Sequence, residues 1–117
     1  MNYDVRQMLK DFTSGLTIMG RTHQKEVNGF LNMLGTNYAP GAVDVKTKEL
    51  ASVAIAVYSR CEYCIVYHTY KALEAGATRD EIIEIAMVAV AFGGGPSMAY
   101  SVTLLHESVQ EFEKDFQ

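Results

Sequence analysis

The chain has 117 residues, of which 49% are hydrophobic and 21% are charged, and it carries a net charge of −4 at pH 7. This composition is typical of one folded domain and excludes a disordered tail or a membrane protein. Its Lys and Arg residues are few and scattered, so the sequence offers no basic surface for nucleic acid or for an anionic membrane.

Apolar residues in the N-terminal part recur at steps of three and four, which is the period of an α-helix. They predict a first helix over 5–19, interrupted or loosened near Gly15, and a second helix over 27–35 that ends at Gly35. The segment 38–41 contains Pro40 and Gly41 and predicts a turn. No apolar stretch follows the first charged residues, so we expect no signal peptide and a cytoplasmic location.

Two further helices are predicted in the middle of the chain. Asp44 is placed to cap the third helix, whose inward stripe is formed by Leu50, Val53, Ala54 and Val57. The fourth helix should begin at Arg60 or Cys61 and stop at Gly76, because glycine is favoured just past a helix end. If the two helices form an antiparallel hairpin, residues of the third helix lie beside the fourth.

The C-terminal part predicts two more helices. Thr78 and Glu81 have the spacing of a capping box, and they open a fifth helix over 82–92 that is apolar nearly all round and is therefore expected in the centre of the fold. Three glycines and Pro96 then interrupt the helical pattern, and Pro96 is placed as the first residue of the last helix. That helix carries apolar residues at 98, 102, 105, 109, 112 and 116, a seam of the coiled-coil kind.

No segment alternates with the period of a β-strand. The predicted fold is therefore all-α, a single compact domain over 1–117 with about six helices. A short chain with an apolar fifth helix and a heptad-like last helix has more hydrophobic surface than it readily covers alone. We therefore expect a homo-oligomer.

The residues with the clearest chemistry are Cys61, Cys64 and His68, which follow one another at steps of three and four. On a helix that turns about 100° per residue, the three side chains project from one face within about 60°. A helix N-terminus favours a thiolate at Cys61, and a protonated imidazole at His68 favours one at Cys64. Glu49 lies on the preceding helix, where its carboxylate can orient His68 or hold a water that carries protons away. The pattern predicts a redox-active dithiol served by an acid–base pair.

Two other interpretations use the same residues. Cysteines on an apolar helix face also serve as small core residues. The chain could also supply four zinc ligands from Cys61, Cys64, His68 and Glu49. Structural zinc sites, however, usually have a second, distant pair of ligands that this chain lacks. We therefore predict neither a bound metal nor another cofactor.

The spacing Glu49-x11-Cys61-x2-Cys64-x3-His68 resembles the signature of the alkylhydroperoxidase-like proteins, which belong to the carboxymuconolactone decarboxylase superfamily. The neighbouring segments 59–64, 75–78 and 94–96 are also similar, and the likeness extends over 44–105. The resemblance implies an all-helical fold that assembles as a homo-oligomer, either trimeric or hexameric.

The resemblance also implies a peroxidase cycle. The residue matching Cys64 attacks the peroxide and becomes a sulfenic acid, and the residue matching Cys61 resolves it to a disulfide. Glu49 and His68 match the residues assigned to proton relay. A dithiol donor, either a dihydrolipoyl protein or a thioredoxin-like partner, then reduces the pair again. The helix N-terminus alone favours Cys61 as the thiolate, so the order of the two cysteines follows from the resemblance only.

Two departures from the family pattern bear on the activity. Some family peroxidases carry a further histidine directly before the second cysteine, whereas this chain has Tyr63 there. Better-characterised family peroxidases also have longer chains. Two alternatives therefore stay open, a lyase of the carboxymuconolactone decarboxylase kind and a redox-sensing oligomer without turnover. The namesake decarboxylases generally lack the cysteine pair, which argues against the lyase.

Overall fold

The structure, a computed structural model, describes residues 2–117 as a chain of helices joined by short turns. The elements are α1 (Val5–Gly20), α2 (Gln24–Tyr38), α3 (Val45–Ser59), α4 (Glu62–Glu74), α5 (Arg79–Gly93), α6 (Gly95–Tyr100), a π-helical turn (Ser101–Leu105), α7 (His106–Phe112) and a 3-10 turn (Glu113–Asp115). The part of the chain described here contains no strand, which confirms the all-α prediction. Because α6, the π-turn and α7 follow one another without a break, they form one continuous helical segment, here called the C-terminal rod. Residues 2–117 thus form six helical segments, α1 to α5 and this rod.

The predicted helix boundaries depend on local hydrogen bonds that the structure contains. Asp44 accepts a hydrogen bond from the backbone N–H of Thr47 at 2.8 Å, as expected for the cap of α3. Thr78 and Glu81 form the full capping box at the start of α5. Gly76 has a φ of +97° just past α4, a conformation that side chains with a Cβ rarely adopt. These three predictions are confirmed.

The first two helices depart from the prediction. Helix α1 continues through Gly15, because a single glycine weakens a helix by only about 1 kcal/mol and leaves its backbone hydrogen bonds intact. Helix α2 continues past its second glycine to Tyr38. It ends there because Ala39 precedes Pro40, and a residue before proline is pushed out of the helical region; Ala39 has a ψ of 142°.

The core lies between α3, α4, α5 and the C-terminal rod. Its largest fully buried side chains include Val53 and Val57 of α3, Ile65 and Val66 of α4, Ile82 of α5, and Leu104, Leu105 and Phe112 of the rod. Helix α2 contributes no buried residue. Over residues 2–117, none of the helices has the length and apolarity needed to cross a membrane.

The central position expected for α5 is wrong for this chain. Ile82, Ala86 and Ala89 are buried, but the opposite face is open, with Val88 53% exposed and Phe92 81% exposed. In a fold of this size the neighbouring helices cover only one side of α5. Its all-round apolarity therefore leaves an uncovered surface.

The single seam expected along the last helix is also wrong. Val109 and Phe112 are buried in the core, whereas Met98 is 40% exposed and Val102 is 55% exposed. The π-turn, which contains Val102 and ends before Val109, adds a residue to one helical turn, and this rotates the first part of the seam away from the second. Pro96 is the second residue of α6 and not the first.

Candidate functional site

The site is built where the chain reverses direction between α3 and α4. Arg60 ends α3 in the left-handed conformation, with a φ of 58°, and Cys61 immediately caps α4. This tight connection sets the two helices side by side. As a result Glu49, in the second turn of α3, lies next to His68 of α4, 19 positions later.

Cys61 and Cys64 are joined by a disulfide, with their Cα atoms 5.2 Å apart. Cys61 does not lie on the helical face predicted for it, because it has extended backbone angles and precedes the helix as its cap. Its sulfur accepts a hydrogen bond from the backbone N–H of Cys64 at 3.3 Å. A capping side chain folds back toward the third residue of its helix, so the two sulfurs meet although only Cys64 is helical.

Glu49 and His68 form an acid–base pair in which the carboxylate is buried and the imidazole is partly exposed. The Glu49 carboxylate lies 2.8 Å from Nδ1 of His68, and Glu49 is only 3% exposed. An ionised carboxylate only accepts hydrogen bonds, so opposite it Nδ1 carries a proton. The second ring nitrogen, Nε2, has no hydrogen-bond partner among residues 2–117 and can exchange protons with another molecule.

His68 and Cys64 open into one cavity of about 120 Å³. The rest of its wall consists of Tyr38, Ser52, Ile55, Ala56 and Ser59. Cys61 is not part of this wall. The two cysteines therefore differ in their surroundings: Cys64 faces the cavity with the imidazole, while Cys61 caps the helix.

Aromatic rings hold His68 from two directions. The ring of Tyr38 is stacked on the imidazole at 5.6 Å with a tilt of 17°, and Tyr67 meets it edge-on at 5.0 Å. Phe12 of α1 packs against Tyr67 in turn, at 5.3 Å. Burial raises the pKa of Tyr67, so this ring remains a neutral phenol.

The structure brings together all four residues singled out in the sequence, and it adds Tyr38 and Ser52, which were not predicted. A signal for Ser52 was present, because Glu49, Ser52, Ala56 and Ser59 recur at steps of three and four and leave one face of α3 small or polar. Tyr38 had no such signal, since it reaches the cavity from a different helix.

The four residues named above as possible zinc ligands are paired with one another in the structure. Within residues 2–117, no group of three or more His, Cys, Asp or Glu side chains is arranged to hold a metal ion. Both sulfurs are already bonded to each other, and Glu49 is bonded to the imidazole.

Comparison with known proteins places these residues in a family context. Residues 25–107 match the sequence profile of the carboxymuconolactone decarboxylase family. A crystal structure of a family member from Legionella pneumophila is similar over 93% of this chain and 96% of that chain, with 35% identity and a TM-score of 0.88.

Two further relatives extend the comparison. A family protein from Thermotoga maritima, for which an involvement in the antioxidative response has been suggested, is 32% identical, with a TM-score of 0.63 over 84% of this chain and 92% of that chain. An uncharacterised protein from Cupriavidus necator is 28% identical over 101 residues, which is 86% of this chain and 89% of the relative.

Proposed function

The chain belongs to the carboxymuconolactone decarboxylase family, and from this premise we propose that it is a thiol-dependent peroxidase of the alkylhydroperoxidase kind. The observation that carries the proposal is the cavity in which Cys64 lies with the Glu49–His68 pair. The antioxidative role suggested for the Thermotoga maritima relative is consistent with this activity.

The first step is attack by the Cys64 thiolate on a peroxide oxygen. A sulfur–oxygen bond forms, the oxygen–oxygen bond breaks, and the peroxide leaves as water or an alcohol once it takes up a proton. The cavity of about 120 Å³ equals roughly four water molecules at about 30 Å³ each. Hydrogen peroxide and small alkyl hydroperoxides fit such a volume.

His68 moves the proton in this step. Nε2 of the neutral ring accepts the proton of the Cys64 thiol, and the imidazolium then donates it to the departing oxygen. Glu49 holds Nδ1 at 2.8 Å and stabilises the positive ring while it exists. The same nitrogen therefore acts first as a base and then as an acid.

The second step uses Cys61. Its sulfur attacks the sulfenic acid at Cys64, the sulfur–sulfur bond forms, and water leaves. The bonded pair in the structure corresponds to this oxidised state. A dithiol donor, a dihydrolipoyl or thioredoxin-like protein, then returns both cysteines to thiols and becomes a disulfide itself. The cytoplasmic location expected from the sequence is part of the proposal, because that compartment keeps such donors reduced.

Peroxide titration of the reduced protein tests this assignment. Hydrogen peroxide should consume two thiols per chain and leave one disulfide that a dithiol reduces again. In Cys61→Ser, Cys64 should remain as a sulfenic acid that dimedone traps, whereas Cys64→Ser should consume no peroxide. The opposite labelling pattern would reverse the two roles. A disulfide that forms once without turnover would favour the sensor, and thiols that stay free would contradict the proposal.

We also infer that the chain works as a homo-oligomer, trimer to hexamer, with a hexamer favoured by family resemblance. Ile55, Tyr58, Val88 and Phe92 form an outer apolar face on α3 and α5, and a groove of about 290 Å³ lies among them. Phe92 is 81% exposed and Ile55 66%, which is unusual for a surface that stays in water. Ile55 also lines the Cys64 cavity, so a second copy on this face reaches the rim of the site.

A further inference from the structure

Helix α2 packs against α1 and α3, and its C-terminal end lies at the cavity. None of its residues is buried, so its position does not come from the core. Its C-terminal end is instead connected to α3 by three hydrogen bonds. Lys48 donates to the backbone carbonyls of Asn37 at 3.0 Å and Ala39 at 2.7 Å, and the Tyr38 hydroxyl is hydrogen-bonded to Ser52. These bonds place the Tyr38 ring over the imidazole.

The direction of the Tyr38–Ser52 hydrogen bond follows from a count of protons. Ser52 donates its one hydroxyl proton to the backbone carbonyl of Lys48 at 2.7 Å. A hydroxyl has one proton to donate and lone pairs to accept with, so Ser52 accepts from the Tyr38 hydroxyl. The phenolic proton is therefore already engaged, which assigns Tyr38 to holding its ring in place and not to protonating a substrate.

The ring supplies an orientation that Glu49 cannot supply alone. A single hydrogen bond tolerates bent geometries, so the bond at Nδ1 alone leaves the imidazole a range of rotations about its Cα–Cβ and Cβ–Cγ bonds. Tyr38 lies on its face, with a tilt of 17°, and Tyr67 meets it nearly perpendicularly, at 86°. The two rings together restrict these rotations and determine where Nε2 points.

We propose that Tyr38, anchored through its hydroxyl to Ser52, is the positioning residue that aims His68 at Cys64. This inference rests on the peroxidase function proposed above for the role of His68. Positioned acid–base groups contribute about 10²–10⁴-fold to rate, and small misplacements forfeit a large part of such effects. Tyr38→Leu should therefore slow the reaction of Cys64 with peroxide by at least about tenfold. Tyr38→Phe, which keeps the stacked ring, should retain most of the rate.

A double-mutant cycle separates positioning from a general structural effect. Tyr38→Leu is measured in the unmodified protein and in His68→Ala, with Phe30→Leu as a matched aromatic-to-leucine control on the same helix, where the side chain is 40% exposed. The inference requires that Tyr38→Leu slows the unmodified protein but has no further effect without His68, and that Phe30→Leu has no effect in either background. Equal slowing in both backgrounds, or no slowing in either, would overturn it.

Two additions keep the outcome clear. Ser52→Ala, like Tyr38→Phe, removes the anchor and leaves the ring, so it should slow the reaction less than Tyr38→Leu does. It takes the place of Tyr38→Leu in the cycle if Tyr38→Leu lowers the folded fraction. The whole cycle is repeated with the alkylation rate of Cys64 by iodoacetamide in Cys61→Ser. If peroxide is not consumed, the proposed function fails, and the alkylation cycle alone then decides on Tyr38 by the same criterion.

Discussion

The substitution Glu49→Gln isolates the contribution of the carboxylate charge to proton transfer. Glutamine has nearly the same shape, and its carbonyl oxygen can still accept the hydrogen bond from Nδ1 that now spans 2.8 Å. The neutral ring therefore stays in place. The variant loses the negative charge that faces the imidazolium during proton transfer.

The size of the effect follows from the hydrogen bond itself. A hydrogen bond to a charged group contributes about 1.5–3 kcal/mol, and a neutral one about 0.5–1.5 kcal/mol. The difference is about 1–1.5 kcal/mol, and since about 1.4 kcal/mol corresponds to a factor of ten in rate, the reaction of Cys64 should slow about fivefold to twelvefold. His68→Ala removes the proton carrier and should cost about 10²–10⁴-fold.

The assay follows the thiols directly, because the chain has no tryptophan to report on the site. Reduced protein is mixed with excess hydrogen peroxide, quenched at intervals with an alkylating reagent, and weighed by mass spectrometry. Glu74→Gln is the matched control, since Glu74 pairs with Lys71 on the exposed side of α4 and such pairs contribute little. A Glu49→Gln rate within twofold of the unmodified protein would refute the charge argument.

Three further predictions concern the fold and its assembly. Gly93→Ala should lower the free energy of unfolding by about 1–3 kcal/mol, because the added methyl group would overlap the Ser97 side chain, which is 1% exposed. The double variant with Ser97→Gly should regain part of this stability, as measured by thermal unfolding. The hydrogen bond from Arg6 holds the pKa of Asp115 below its usual value. The contribution of Asp115 to the free energy of unfolding is therefore present above about pH 4 and is lost as the pH falls through the folded-state pKa. Arg6→Met should flatten this part of the acid unfolding curve, and an unchanged curve would contradict the assignment. Phe92→Asp should shift light scattering toward the 13.0 kDa monomer, whereas an unmodified chain that is already monomeric at micromolar concentration would rule out the oligomer.

Local chemistry was sufficient to predict much of this molecule. The caps at Asp44 and Thr78 and the turn at Gly76 each depend on residues within a few positions of one another, so they could be read from the chain alone. The same holds for the step from Cys61 to Cys64 and His68. Glu49 could be added only through the motif and through the assumption that α3 and α4 form a hairpin.

Long-range packing decided the rest. Tyr38 reaches His68 from a helix without buried residues, through a hydrogen bond to Ser52 that spans 14 positions, and no periodicity in the sequence reports such a contact. The exposed face of α5 could not be foreseen either, since an apolar helix looks the same whether its own chain or a second copy covers it. The tertiary structure also determines which cysteine faces the cavity. The cap conformation of Cys61 turns its sulfur toward the helix start, and the packing of α2 against α3 builds the cavity wall on the side of Cys64.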